Sequence, residues 1–318
     1  MRTKITSLLL LAAGTVCSGQ SMTSTYSGSY SLTDLHSITG VPTNYGALTF
    51  EAGNSNTLLI GGGADTGTGA IYAVSLTRGA GGHITGFSGS ATSFSLAANI
   101  DGGLDYAPNG STLLYTGYQT DVLGQILPGH TSPSVVTSLN SIGIGTPGSD
   151  STGSFAFVPS EFPGGGNLLI ASYDSANLYK VPYTLQGNGT YSFSAATLLN
   201  NYGSVGFEGL AYVKGGNPDF ASDTVLVADY NGNQTLAYTL DSNGAPTGTA
   251  KVFVTGLTGA VGAAVDPVTG DFLFSTFGAS NQVFVVSGFT IPIPEPAFYA
   301  AGMGILGLGA VCMKRRTG

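Results

Sequence analysis

A short glycine-led apolar run recurs along the chain at nearly constant spacing, and this repetition limits the possible folds more than any other feature. The copies are GALTF ending at Phe50, GGLDY at Tyr106, GSFAF at Phe157, GLAY at Tyr212 and GAAV at Val265. Successive copies are 56, 51, 55 and 53 residues apart. Repeats of this length indicate an array of similar units that bury their apolar faces against each other.

Each copy is followed by further strand-like runs, rich in Val, Leu, Phe and Tyr and separated by turn residues. The second runs are NTLLIGGG, STLLYTGY, GNLLIASY, DTVLVADY and GDFLFSTF. A third run is clear in four copies and weaker in DVLGQIL, and runs such as TSFSL and KVFVTGL supply a fourth. Four short strands per unit are typical of a propeller blade. We therefore predict an all-β protein, a β-propeller of five four-stranded blades over 21–290, or of six blades if one of the longer units conceals a divergent one.

The two ends of the repeat array complement each other. The fifth copy stops after its third strand at Phe289, whereas the N-terminal GSYSLTDLHSI reads as a fourth strand without a preceding three. Pairing the two closes the ring and removes its open sheet edges. We predict that this N-terminal strand completes the last blade.

Residues 1–20 have the pattern of a secretory signal. Two basic residues precede an apolar stretch from Ile5 to Val16, and the small residues Ser18 and Gly19 follow. This order predicts export of the chain and removal of the signal.

The C-terminal segment 291–318 has a different three-part pattern. A Pro-Glu-Pro motif precedes an uncharged apolar run, and a basic cluster follows it: Pro294, Glu295, Pro296, the run 297–313, Lys314, Arg315 and Arg316. The run of seventeen residues reaches the lower limit for a helix that crosses a membrane. We predict a transmembrane helix with its basic end in the cytoplasm, the alternative being a buried helix of the globular domain.

This tail resembles the PEP-CTERM sorting tail of bacteria that make exopolysaccharide. The resemblance implies that an exosortase in the inner membrane processes the tail at or near Pro-Glu-Pro and releases the protein. It implies as partners the exosortase, the export machinery, the inner membrane as a transient tether, and extracellular polysaccharide. The expected location is a membrane-tethered precursor, then the cell surface or the extracellular space. The tail therefore indicates where the protein is delivered and does not indicate an activity.

The composition of the exported body excludes several kinds of protein. Cys17 lies in the signal and Cys312 in the tail, so the body has no cysteine for a disulfide scaffold or a thiolate metal site. Between residues 21 and 289 there are four basic residues and sixteen carboxylates. This acidic balance argues against nucleic acid and anionic membrane surfaces as partners, because both require a basic patch.

The blade sequences also carry a resemblance. Stretches such as FEGLAYVKGG and VGAAVDPVTGDF resemble the broad superfamily of gluconolactonase-like, NHL-like and TolB-like propellers. The resemblance implies the propeller fold, which hosts hydrolases, lactonases and pure binding modules alike.

The start of each innermost strand faces the central channel of a propeller, so these positions are the candidates for a site. The residues there are Gly46, Asp101, Asp105, Gly153, Glu208 and Val261. We predict that Asp101, Asp105 and Glu208 converge, joined by Glu51 or Asp229. Such a cluster suits Ca²⁺, which prefers oxygen ligands, or supplies the acid and base of a glycosidase. The alternative is a structural role at turns and strand ends, including backbone bonding by Asp229.

The remaining polar residues have ordinary interpretations. His36, His83 and His130 lack the spacing of a metal site and are expected to be solvated loop residues. The stretch DPVTGD, with Asp266 and Asp271, predicts a turn between two strands.

Two functions of different class remain. The first is a non-enzymatic exterior propeller that binds or organises extracellular matrix, associated with exopolysaccharide. The second is a propeller hydrolase or lactonase with an acidic, Ca²⁺-binding channel site. The lactonase-like metal pattern implied by the resemblance needs an Asn at the channel position, and none stands there.

Overall fold

The structure is a computed structural model that describes residues 19–145, 152–278 and 281–290. Most of the predicted signal peptide and the whole sorting tail, with its Pro-Glu-Pro motif and basic cluster, lie outside the described residues. Within the described ranges no helix is long and apolar enough to span a membrane.

The described residues form β-strands joined by turns and two short 3-10 segments. The chain begins with two strands, β1 (Ser21–Met22) and β2 (Ser31–Asp34). Blade 1 contains β3 (Leu48–Glu51), β4 (Asn54–Gly62), β5 (Ala70–Arg78) and β6 (Ile84–Leu96). Blade 2 contains β7 (Ile100–Tyr106), β8 (Leu113–Gly117), β9 (Val122–Ile126) and β10 (Val135–Ser138).

The remaining blades follow in the same order. Blade 3 has β11 (Thr152–Phe157), β12 (Leu168–Ser172), β13 (Asn177–Val181), an inserted hairpin of β14 (Tyr183–Leu185) and β15 (Tyr191–Phe193), then β16 (Thr197–Asn201). Blade 4 has β17 (Phe207–Val213), β18 (Thr224–Asp229), β19 (Gln234–Leu240) and β20 (Pro246–Thr255). Blade 5 has β21 (Ala260–Val265), β22 (Phe272–Thr276) and β23 (Val283–Ser287). The 3-10 segments are Ala80–Gly82 and Leu139–Ile142.

Strand pairing confirms a five-bladed propeller closed by the N-terminal strand. Strand β2 pairs antiparallel with β23, from Ser31 opposite Ser287 to Asp34 opposite Phe284, and completes the fifth sheet. Strand β1 adds a fifth strand to blade 4 through pairing with β20, which the sequence did not predict because two residues show no periodicity.

The second strands of blades 2 to 5 are buried throughout for a physical reason. Strands β8, β12, β18 and β22 are buried along their whole length. Each lies in a sheet that packs between two neighbouring blades, so both of its faces are covered. At the interface of blades 4 and 5, for example, Phe253 packs 6.3 Å from Phe272, and Phe272 packs 5.4 Å from Phe274 (centroid distances).

Two ion pairs join blade 1 to the turn after β21. The Arg78 guanidinium donates to both carboxylate oxygens of Asp266 at 2.6 and 2.9 Å, and His83 Nδ1 lies 2.7 Å from Asp271 Oδ2. The predicted turn is confirmed, since the Asp266 amide donates to the Asp271 carbonyl at 2.7 Å. His83 is a loop residue with its side chain 43% exposed, as predicted, but it also pairs with the fully buried carboxylate of Asp271. His36 is exposed and lies 3.2 Å from a carboxylate oxygen.

Candidate functional site

Irregular starts of the innermost strands bring two carboxyl groups to one end of the channel. In β7 the pairing register shifts between Ile100 and Leu104, and in β17 it shifts between Phe207 and Leu210. Asp101 lies inside the first irregularity and Glu208 inside the second. Extra residues of this kind interrupt the alternation of a strand and re-aim a side chain. Both acidic side chains consequently line a cavity on the channel axis.

The irregularities leave backbone amides and carbonyls without strand partners, and hydroxyl groups on the neighbouring strands form hydrogen bonds with them. The Gly103 amide donates to Thr116 Oγ1 at 2.9 Å, and that hydroxyl donates to the Gly153 carbonyl of the next blade at 2.9 Å. Ser275 accepts from the Gly262 amide at 2.9 Å in blade 5 in the same way. Small hydroxyl residues therefore link the channel wall from blade to blade.

Asp101 and Glu208 form a pair across the channel. Each residue is 4% exposed, and their carboxyl groups lie within hydrogen-bonding reach of each other. Two glycines leave the room they need. A Cβ on Gly102 would lie 2.2 Å from Glu208 Oε2, and one on Gly153 would lie 3.3 Å from the same atom. Because Gly153 has no side chain, the Glu208 side chain can extend into the channel.

The pair is poorly compensated by the protein. Asp101 Oδ2, Glu208 Oε2 and Asp65 Oδ1 are buried and accept no hydrogen bond from a protein donor. Burial raises the pKa of Asp101 well above its ordinary value, and the neighbouring Glu208 and Asp65 carboxyls raise it further. Burial and the Asp65 charge likewise raise the pKa of Glu208, and burial raises the pKa of Asp65 to about 6. Like charges held together must keep a proton or gain a cation.

Four aromatic residues surround this acidic cluster. They immediately follow the second strands of blades 2, 3, 4 and 5: Tyr118, Tyr173, Tyr230 and Phe277. We call these four residues the aromatic rim. With Asp65, Asp101, Glu208 and Val261 they line a cavity of about 120 Å³, which we call the channel mouth. In blade 1 the corresponding residue is Gly63, and Asp65 reaches the cavity from that blade instead.

The third predicted carboxylate, Asp105, does not join the pair. It lies four residues beyond Asp101 on β7, at most about 13 Å along a strand. It lines a separate, mainly apolar cavity of about 440 Å³ at the far end of the channel, as does Glu51. Asp105 Oδ1 accepts the Tyr106 amide at 2.8 Å, and Thr49 donates to the same carboxyl group. Burial raises the pKa of Asp105 to about 6.

Asp229 has a structural role. Its Oδ1 accepts the amides of Gly206 at 2.9 Å and Gly232 at 3.2 Å, and its Oδ2 accepts Gln234 Nε2 at 2.9 Å. The alternative in which Asp229 bonds backbone at the end of its strand is thus confirmed. The channel mouth is built without it.

Sequence reasoning missed Asp65 and the aromatic rim. The rim had a visible signal, because an aromatic residue ends the second run in four of the five repeats. Asp65 had none, because its blade breaks that pattern and places the residue in a loop with a positive φ of 61°. The loop is held where its amide donates to the Ile100 carbonyl at 3.2 Å.

The carboxyl groups do not form a preformed metal centre. Among the described residues, no group of three or more His, Cys, Asp or Glu side chains is arranged to hold a metal ion. Ca²⁺ takes about six to eight oxygen ligands. The channel mouth offers three carboxyl groups and four aromatic side chains, so it fits Ca²⁺ incompletely.

No protein-family model matches the chain, and no curated protein sequence matches it. Similar solved structures include a calcium structure of Trichoderma reesei Carbohydrate-Active Enzymes Family AA12, with 12% identity, a TM-score of 0.49 and coverage of 85% of this chain and 97% of that one. An auxiliary nutrient binding protein from Bacteroides ovatus has 12% identity, a TM-score of 0.45 and coverage of 81% and 76%. The calcium-binding protein regucalcin from Agrobacterium tumefaciens has 20% identity, a TM-score of 0.42 and coverage of 77% and 71%. At these scores the similarities carry no argument about function, which rests on the geometry of the channel.

Proposed function

We propose that this chain is a binding protein whose site is the channel mouth and whose ligand carries a positive charge. The observation that supports this most directly is the buried Asp101–Glu208 pair, in which Asp101 Oδ2 and Glu208 Oε2 accept no hydrogen bond from a protein donor. An uncompensated pair of this kind costs free energy in the folded state. A bound cation offsets that cost, because it pairs with both carboxylates at once.

Binding in this site exchanges a proton for the cation. Burial and mutual repulsion raise the pKa values of the pair and oppose its full ionisation, so a proton held by the pair must leave when a cation binds. Asp65 and Asp174 are the other carboxylates that act on the pair, and both disfavour its second negative charge. The affinity for a cation therefore rises with pH, as the shared proton becomes easier to displace.

The same pair is the basis of the second candidate, a hydrolase. A glycosidase needs its two carboxyl groups about 5 Å apart or more, so that a sugar and a water or nucleophile fit between them. Carboxyl groups in hydrogen-bonding contact leave no such space. A lactonase is less restricted, because one protonated and one ionised carboxyl side by side can serve as acid and base. Turnover of a lactone that is lost in Glu208→Gln would favour this second function.

We place the binding module outside the cell, released by an exosortase and associated with extracellular polysaccharide. The support for this setting is the secretory pattern of residues 1–20 and the sorting-tail pattern of 291–318. Processing at both ends leaves a body without Cys17 and Cys312. Intact mass of protein from the culture medium tests this, and a secreted species that still contains Cys312 would contradict removal of the tail.

The cation site is tested by thermal unfolding with added Ca²⁺, Mg²⁺ or n-butylammonium at pH 5 and pH 8. A ligand at 100 times its Kd stabilises the folded protein by about 2.7 kcal/mol. At least one cation is expected to raise the Tm, and to raise it more at pH 8. The shift should be lost in Glu208→Gln and kept in Asp105→Asn, which removes a carboxylate from the far cavity. Equal shifts in both variants would contradict the proposal.

A further inference from the structure

We infer that the cation is the primary ammonium group of a larger molecule, held by the acidic pair and enclosed by the aromatic rim. This rests on the proposed function and names the chemical class of its ligand. It depends on the aromatic rim, on the size of the cavity and on the kind of polar atom that the cavity presents.

The aromatic rim is a continuous, preformed wall. Tyr118 and Tyr173 have ring centroids 5.7 Å apart at 85°, and Tyr173 and Tyr230 have centroids 5.7 Å apart at 86°. Tyr230 and Phe277 continue the series at 6.1 Å and 67°. The Tyr173 hydroxyl donates to Asn231 Oδ1 at 2.9 Å, which anchors the middle of the wall. Edge-to-face contacts of this kind hold each ring in place through its neighbour.

Aromatic walls favour an organic cation over a metal ion. The π-face of an aromatic ring attracts an ammonium group, whereas a small divalent cation requires oxygen ligands in place of its water. Four of the eight residues that line the channel mouth are aromatic. No metal-holding group of three or more His, Cys, Asp or Glu side chains is present in the part of the chain that the structure describes.

The volume of the channel mouth selects a head group and excludes a whole drug-sized molecule. Its volume of about 120 Å³ has room for several water molecules. Pockets that enclose drug-sized ligands begin at about 300 Å³. An ammonium group with one or two attached carbons fills such a space. The rest of the ligand must extend past the half-exposed rim into solvent.

The polar atoms of the cavity favour a primary over a quaternary ammonium. Asp101 and Glu208 present carboxyl oxygens, which accept hydrogen bonds and have no protein donor of their own at Oδ2 and Oε2. A primary ammonium supplies three N–H donors and makes charge-assisted hydrogen bonds to carboxylates. A quaternary ammonium has the same charge and donates none. Primary amines occur on free alkylamines and on amino sugars of a polysaccharide, and the two sources differ only in the part outside the cavity.

Calorimetry at pH 7, where both amines are mostly protonated, tests the inference with four probes: n-butylammonium, glucosamine, tetramethylammonium and Ca²⁺. We expect n-butylammonium to bind, with tetramethylammonium and Ca²⁺ each at least about tenfold weaker. Glucosamine that binds as tightly as n-butylammonium, or more tightly, would assign the amino-sugar source, and weaker binding would assign the free amine. The Glu208→Gln variant should lose at least about tenfold in affinity for n-butylammonium, and Asp105→Asn should lose none.

A pair of substitutions on the aromatic rim separates a binding role from a structural one. Tyr230→Phe keeps the ring and should keep the affinity for n-butylammonium. Tyr230→Leu removes the ring and should weaken binding by about twofold to thirtyfold. Equal affinities of the two variants would overturn the role of the rim.

Two other outcomes distinguish failure of the inference from failure of the proposed function. Binding of Ca²⁺ or tetramethylammonium that depends on Glu208, without tighter binding of n-butylammonium, would overturn the primary ammonium and leave a cation site. Absence of Glu208-dependent binding for all four probes would overturn both.

Discussion

The two ends of the channel bury carboxyl groups in opposite ways. At the far end Asp105 accepts hydrogen bonds from Thr49 and the Tyr106 amide. In the turn after β21, Asp266 accepts hydrogen bonds from both terminal nitrogens of Arg78. At the channel mouth Asp101 Oδ2 and Glu208 Oε2 lack protein donors. Burial raises pKa values at both ends, so a raised pKa does not identify a ligand site. The channel mouth differs in that two buried carboxyl groups with unpartnered oxygens line one cavity, which leaves a cost that a proton or a ligand can offset.

The largest effect is expected from a deletion that opens the ring and so disrupts both ends of the channel. Deletion of residues 29–38 removes the closing strand β2 and three buried side chains, Tyr30, Leu35 and Ile38. At about 1.5–3 kcal/mol for each side chain, the loss approaches the total stability of a typical domain. Thermal unfolding should show no cooperative transition near that of the intact chain. An unchanged Tm would mean that the strand does not close the ring.

The next effect concerns a partnered carboxylate. Arg78 is 14% exposed at its side chain and Asp266 is fully buried, so Arg78→Met leaves a buried charge without its partner. We expect a loss of about 3–5 kcal/mol in the free energy of unfolding, measured with denaturant. Lys214→Met is the matched control, because the Lys214–Asp223 pair is more exposed and should cost about 1 kcal/mol or less. Similar losses in the two variants would show that the buried Arg78 pair contributes no more to stability than the more exposed Lys214 pair.

A smaller effect is expected where the channel mouth needs space. A Cβ on Gly153 would lie 1.8 Å from the Phe207 carbonyl oxygen, so Gly153→Ala must displace the backbone beside Glu208. We expect a loss of about 1–3 kcal/mol in stability, together with weaker cation binding. Gly187→Ala is the control, because no atom lies within 4 Å of the added methyl group. If Gly153→Ala is destabilised but still binds the cation as the wild type does, the packing at Gly153 does not shape the binding site.

The smallest effect has the opposite sign and distinguishes the two ends most sharply. Because the native pKa of Glu208 is raised, the folded state keeps a proton that the unfolded state releases above about pH 4.5. Its contribution therefore makes the unliganded protein less stable as pH rises. Glu208→Gln removes this contribution, so at pH 8 the variant should be more stable than the wild type by about 1 kcal/mol or more. Near pH 4 the two should have similar Tm values.

The opposite result for Glu208→Gln would contradict the description of the channel mouth. A variant that is less stable than the wild type at pH 8 would mean that the carboxylate has a protein partner, as the carboxylates of the far end do. Asp266→Asn gives the reference for that case, since it breaks a partnered site and should destabilise at both pH values.

Much of the architecture could be predicted from the sequence, because it follows from local patterns. The spacing of the repeats predicted five blades, and the unmatched N-terminal strand predicted how the ring closes. Asp229 and the turn containing Asp266 and Asp271 were also predicted, since Asp bonds to nearby backbone at turns and strand ends. These features depend on residues a few positions apart or on repeat phase, and both can be read along the chain.

The composition of the candidate site depended on tertiary structure. Asp101 and Glu208 meet because irregular strand starts turn both toward the axis and because Gly102 and Gly153 leave space between the blades. Asp105 has the same residue type and lies on the same strand, yet it faces the far cavity.

By itself the sequence determined the four-stranded blade and the closure of the ring, since each repeat must bury both faces of its strands, and the structure decided for five blades over six. Only the tertiary structure decided which carboxylates share the channel mouth, that Asp65 joins them, and that one aromatic residue from each of four blades encloses them. The physical reason is that a strand changes face with each residue and extends about 3.3 Å per residue. A local irregularity or a shift of a few positions therefore decides which carboxylates meet, and the repeat pattern does not record it.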